Sequence, residues 1–166
     1  MFTAVDPSFE SRVRDSFARQ ALMGLIGARM TRVEPGCVDI ALDYRADLTQ
    51  QHGYLHAGIL STIADTAGGY AGFTLFPADA SVLTVEYKLN LLAPAEGDSF
   101  VAAGRVVKPG RTLCIVQAEV HACAGDNTKK TLCALMQQTL MVMSGRSDHA
   151  VSGAGASSVT RATRRP

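Results

Sequence analysis

With 166 residues, 47% of them apolar, the chain is long enough to bury the core of one domain. Its 16 Lys and Arg against 15 Asp and Glu leave a formal net charge of +1, so no overall field gathers polyanions and a nucleic-acid partner is not expected. No stretch has the length of a membrane-spanning helix, and Asp6 and Glu10 fall where a secretory leader would carry an apolar run. These features predict a cytoplasmic protein with no membrane partner.

From Pro7 to about Arg29, Phe9, Val13, Phe17, Ala21, Met23 and Leu25 recur near helical spacing among charged residues. The spacing predicts an amphipathic helix that frays into a strand and packs as a lid. Strands are expected over Ala28–Glu34 and Cys37–Tyr44, joined by Pro35-Gly36, a pair favoured at the centre of a type II turn. Arg45–Leu55 reads as a loop. His56–Phe76, stopped by Pro77, is small or apolar almost throughout, the mark of a buried helix.

Four alternating segments follow: Ser81–Ala93, Ser99–Lys108, Thr112–Ala122 and Thr128–Met143. Their β-branched content and period of two predict antiparallel strands, with a hairpin at Pro109-Gly110. Cys37, Cys114, Cys123 and Cys133 are widely spaced and form no CxxC pair. They read as free thiols, three of them buried, rather than zinc ligands or disulfides, and point to a reducing compartment. Residues 144–166, including Arg161, Arg164 and Arg165, are rich in Gly, Ala, Ser and Thr and are expected to form a disordered tail after a single domain spanning 1–143.

One buried helix among strands needs apolar surface around it, and a curved antiparallel sheet wrapped about the helix supplies that surface. The predicted class is α+β, in the hot-dog arrangement.

Within that helix, Asp65 has apolar neighbours on every side, where an ionised carboxylate is costly unless compensated. Two readings stand: a catalytic carboxylate, or a structural Asp bonded by a hydroxyl or an amide. The helix start has unpaired amides at Ala57 and Gly58 and a positive dipole end that suit a developing oxyanion, though glycine there also serves packing alone. Gly58 lies seven residues before Asp65, roughly 10 Å at 1.5 Å per residue. If both act on one carbonyl carbon, they come from two chains whose helices run antiparallel across a two-fold axis.

The stretch Gln50-Gln51-His52-Gly53-Tyr54-Leu55-His56-Ala57-Gly58, followed six residues later by Asp65, resembles the PaaI-type hot-dog thioesterases. Their pattern is N-x-x-G-x-x-H-G-G, six residues, then D, and Thr84 to Ala95 resembles their third strand. The resemblance implies hydrolysis of an acyl-CoA thioester in a homodimer or dimer of dimers whose sheets join edge to edge. It implies no metal and no cofactor beyond the coenzyme A of the substrate. By family position, Asp65 is general base or nucleophile, the Ala57 amide (with Gly58) polarises the carbonyl, and His56 orients the loop. Gln50 stands for the family's Asn and orients water or thioester, and Thr84 holds the water. Gln51, Gly53 and Tyr54 fall on the substrate-binding side. Gln50 is one methylene longer than Asn, and Ala57 replaces the first glycine of H-G-G.

Lys108 and Arg111, flanking the Pro109-Gly110 turn, are candidates for the phosphates of coenzyme A, or are simply solvated. Thr84, Glu86, Lys88 and Asn90 read as one polar strand face. The competing functions are a non-catalytic acyl-CoA or aromatic-ligand binder on the same fold, a hot-dog dehydratase or hydratase, and a structural oligomer module. The dehydratase reading lacks its closely spaced Asp and His.

Overall fold

A computed structural model describes residues 2–125, 129–146 and 148. Helices α1 (Phe9–Ala18) and α2 (Ala21–Ile26) precede strands β1 (Arg29–Glu34) and β2 (Cys37–Asp43). A short 3-10 turn, Ala46–Leu48, leads to α3 (Ala57–Phe73), and β3 (Ser81–Leu91), β4 (Ser99–Lys108), β5 (Leu113–Ala124) and β6 (Lys129–Met143) follow. All six strands pair antiparallel in the order β1-β2-β4-β5-β6-β3, and α3 packs on the inner face of this sheet. This is the hot-dog fold.

On β2, β4 and β5 the inner face is apolar at every second position. Val38, Ile40 and Leu42 on β2, Phe100 and Ala102 on β4, and Val116, Ala118 and Val120 on β5 are buried against α3. The small residues of α3 let it lie deep in the sheet. A Cβ on Gly104 of β4 would collide with the Ala67 carbonyl of α3, so helix and strand backbones touch there.

The single N-terminal helix expected over 7–29 is two helices. Gln20 is extended, with ψ 99°, and the chain restarts so that Met23 and Ile26 enter the core while Leu22 and Leu25 stay exposed. Arg12 of α1 caps the far end of α3. Its guanidinium donates to the carbonyls of Phe73 (3.3 Å), Phe76 (2.8 Å) and Pro77 (2.7 Å), stacks 4.3 Å from the Phe73 ring centroid, and pairs with Asp6 at 3.0 Å.

Two features of β3 matter for the site. It is an edge strand with Leu83, Val85, Tyr87 and Leu91 about half exposed, and Leu92 follows it likewise. It also carries a bulge: Thr84 pairs with Leu140 but Glu86 with Thr139, leaving Val85 as the extra residue. The polar face predicted from strict alternation is therefore split. Thr84 and Tyr87 both turn toward α3, where Thr84 bonds Asp65 and Tyr87 bonds Ser61. Glu86, Lys88 and Asn90 fall on the opposite side.

Cys114, Cys123 and Cys133 are buried and Cys37 half-buried, all as free thiols, and burial pushes the Cys114 thiol up to about 11. Among the described residues no helix is long and apolar enough to cross a membrane. Beyond residues 144–146 and 148, the expected tail lies outside the described residues.

Candidate active site

Asp65 sits at the middle of α3, half-buried at the border of the face that the sheet covers. Thr84 Oγ1, brought inward just before the bulge, donates to Asp65 Oδ1 at 2.9 Å. Gln138 on β6 closes the group: its Nε2 contacts the same Oδ1, the Asp65 carbonyl at 3.2 Å and Thr84 Oγ1 at 3.0 Å. One carboxylate oxygen is thus fixed by two side-chain donors. The other, Oδ2, has no partner among the described residues and faces open space where two clefts of about 500 Å³ and about 350 Å³ meet.

Burial raises the Asp65 carboxyl above the ordinary value, and the Thr84 and Gln138 donors pull it partly back. The Gln138 amide nitrogen meets the carboxylate as a donor, a contact that favours the ionised form. Gln138 Oε1 is buried with no partner among the described residues. Sequence reasoning missed this residue. Its signal lay in β6, where Ala134, Met136, Gln138 and Leu140 share one buried face and the glutamine is the only polar member.

At the start of α3, His56 is the N-cap: its Nδ1 accepts the Gly58 N–H at 2.9 Å. That bond occupies the Gly58 amide. The Ala57 N–H finds no acceptor among the described residues and lies at the first helical turn, where the dipole favours negative charge. Ala57 and Asp65 are eight residues apart on one helix, roughly 12 Å along the axis.

The remaining predicted residues are spread more widely. The Gln50 side chain turns back onto its own loop and accepts the His52 N–H, while Gln51 is exposed. Gly53 and Tyr54 line a separate hollow of about 710 Å³ with Pro94, Asp98 and Lys129. Lys108 and Arg111 are exposed at the β4–β5 turn, the end of the sheet away from the Ala57 amide, and do not reach Asp65 of the same chain.

The arrangement provides a half-buried carboxylate with one oxygen pinned and one presented to a cleft. A base or nucleophile requires that geometry.

Comparison with known proteins agrees with the fold. The sequence profile of the thioesterase superfamily matches residues 52–127. The chain is 30% identical over 132 residues to the "Putative esterase SSO1253" of Saccharolobus solfataricus, covering 80% of this chain and 84% of that protein. It is 26% identical over 114 residues to a 1,4-dihydroxy-2-naphthoyl-CoA hydrolase of Listeria monocytogenes, covering 67% and 89%. Among solved structures, a thioesterase family protein from Silicibacter pomeroyi superposes with a TM-score of 0.80 at 49% identity, covering 82% of this chain and 99% of that one. The PaaI protein of Escherichia coli, at 18% identity and a TM-score of 0.74, shares the fold over 84% of this chain and 96% of its own.

Proposed function

The chain belongs to the thioesterase superfamily, and on that premise we propose that it hydrolyses the thioester of an acyl- or aryl-acyl-CoA to the free acid and coenzyme A. The observation that carries the reading is Asp65, with Oδ1 held by Thr84 and Gln138 and Oδ2 open to the cleft.

In this reading the thioester carbonyl oxygen accepts the Ala57 N–H at the positive end of α3. Asp65 Oδ2 takes a proton from water as the water oxygen adds to the carbonyl carbon, or adds itself and is released by water in a second step. The carbon–sulfur bond breaks, the sulfur leaves with a proton, and the acyl group departs as the acid. Thr84 and Gln138 keep Asp65 ionised and aimed.

The two groups act on one carbon only if they come from different chains, given their separation along α3. The unpaired, partly apolar edge of β3 supports a second copy docking there, with two equivalent sites per dimer. Free buried thiols fit a cytoplasmic setting.

The test is release of free thiol from short, medium, long and aromatic acyl-CoA esters, followed with a chromogenic thiol reagent. Turnover by the wild type that Asp65→Asn abolishes without changing assembly supports the reading. Absence of release across the whole panel rejects it in favour of a binder.

A further inference from the structure

The larger cleft beside Asp65 runs between two walls that the end of the chain ties together. Its floor is α3 at Asp65 and Tyr70, one wall is the start of β3 at Val82, and the other is the end of α1 at Ser16 and its C-cap Arg19. Strand β6 ends beside the first wall, where Val142 pairs with Val82 and Met143 with Ser81. A tight turn follows. The Arg146 N–H donates to the Met143 carbonyl at 3.4 Å, and Gly145 has φ 69°, a left-handed conformation that suits glycine.

Beyond the turn, Asp148 lands on the opposite wall. Arg19 Nη2 donates to Asp148 Oδ2 at 2.7 Å and to the Asp148 carbonyl at 2.9 Å. The five steps from Met143 to Asp148 reach up to about 17 Å when extended, enough to cross from the sheet side of the cleft to α1. Arg19 and Asp148 also line a second hollow of about 310 Å³ beside Asp6 and Asp15, so the pair stands as the partition between the two spaces. The charge of Asp148 acts on both. It adds to the burial that lifts the Tyr70 phenol in the cleft, and with Asp6 it opposes the burial that lowers Arg12 at the hollow.

The fastening is light. Among the described residues Asp148 makes no other hydrogen bond, and the Arg19 and Asp148 side chains keep 43% and 26% of their surface exposed. An exposed ion pair of this kind shifts an equilibrium by a factor of about five or less. Phe100 and Ala102, by contrast, hold β4 in place by complete burial.

We propose that the chain from Met143 to Asp148 is a strap across the cleft, fastened by the Arg19–Asp148 pair, and that its release admits bulky substrates. The proposal rests on the acyl-CoA reading above and adds control of access to it. A bulky ester enters only the open fraction of molecules, so its kcat/KM is scaled down by that fraction, whereas a small ester passes in either state.

Arg19→Gln and Asp148→Asn each break the latch, and Arg19→Asp combined with Asp148→Arg rebuilds it with the charges exchanged. All are compared with the wild type as full-length protein of unchanged assembly and melting. Relative to the smallest acyl-CoA cleaved, kcat/KM for the bulkiest is expected to rise about two- to fivefold in both single variants and to return to within about twofold of the wild type in the exchanged pair. The single substitutions change the local charge in opposite senses. Opposite effects on the anionic ester, or an unchanged size ratio in both, therefore overturn the proposal.

Trypsin cleavage after Arg146, identified by intact mass, reads the strap without turnover. Arg19→Gln leaves the sequence around that bond untouched, and the cut is expected to come at least about threefold faster. An unchanged rate overturns the strap whether or not the protein is a hydrolase. A faster cut in a protein that releases no thiol from any ester removes the hydrolase reading and supports the strap. Association rates of uncleavable thioether analogues then take the place of kcat/KM, with the same size ratio expected.

Discussion

Gly68 of α3 makes the room that the Gln138 amide of β6 occupies: a Cβ at Gly68 would collide with Gln138 Oε1. The glycine therefore sits three residues beyond the carboxylate that it indirectly aims. Gly68→Ala is expected to displace the glutamine, cost about 1–3 kcal/mol of stability and lower kcat at least about tenfold. Denaturant unfolding and steady-state rates on the same preparation check both parts. A variant with full activity would mean that Gln138 does not hold Asp65.

The acid limb of the rate profile reports Asp65. The carboxyl must be ionised to act, and burial holds it above the ordinary value, so kcat/KM rises with pH through a value higher than 3.8. Thr84→Val removes a donor that favours the ionised form. Its acid limb is expected to move to higher pH, with a plateau about tenfold lower. An unshifted limb would separate Thr84 from the titrating group.

The same raised value has a stability consequence of the opposite sign to most carboxylates. A folded-state value above the unfolded one means that the folded protein holds more protons in between, so stability is fully present below the unfolded value and falls as pH rises through the folded one. Asp65→Asn, with Oδ1 still accepting from Thr84 and Gln138, is expected to melt at or above the wild-type temperature at pH 7. Near pH 3 the advantage should vanish. Thermal melts across this range decide it.

The Ala57 amide can be removed without disturbing the helix. Ala57 is the first helical residue, its N–H has no acceptor among the described residues, and His56 before it is extended at ψ 137°, a backbone that accommodates a following proline. Ala57→Pro is expected to preserve the melt and lower kcat by about 10²–10³. Mixed with Asp65→Asn and allowed to exchange, it should recover about a quarter of wild-type activity, because half the dimers then contain one intact site. No recovery after demonstrated exchange would place both groups of a site on one chain.

Arg12 serves the architecture rather than the chemistry. Arg12→Met strands the Asp6 carboxylate and uncaps α3, and is expected to cost about 3–5 kcal/mol. Asp6 is held below its ordinary value by the Ser8 hydroxyl first, with smaller contributions from the Ser8 amide and Arg12. Its contribution is therefore present above pH 3.8 and lost as pH falls through the depressed folded value. Urea titrations at pH 7 and pH 3 measure the cost and its acid dependence.

Much of this arrangement was legible before any coordinates. The continuous run of small residues from Ala57 to Phe73 is a helix because nothing else buries so uniform a segment, and β4 begins and ends at Ser99 and Lys108 as its alternation predicts. Asp65 stood out as a charge in an apolar helix. Three details were hidden for physical reasons. The restart at Gln20 is forced by where Met23 and Ile26 must pack, a tertiary demand that periodicity over 7–29 does not contain. Gln138 reads as an ordinary polar strand residue until β6 is placed in the sheet. Gln50 satisfies a nearby amide in its own loop, a local bond that no motif spacing reveals.

The bulge at Val85 has a consequence for how β3 tolerates change. The strand is two segments with opposite parity, joined by one surplus residue: the first half presents even-numbered side chains to the helix, the second half odd-numbered ones. Deleting Val85 would leave Thr84, Tyr87 and Leu89 facing the helix and Glu86 and Lys88 facing away, because Thr84 and Glu86 already pair with the consecutive residues Leu140 and Thr139. The surplus residue therefore makes this the point in β3 where the loss of one residue should survive, whereas the insertion of another would invert the side chains that follow.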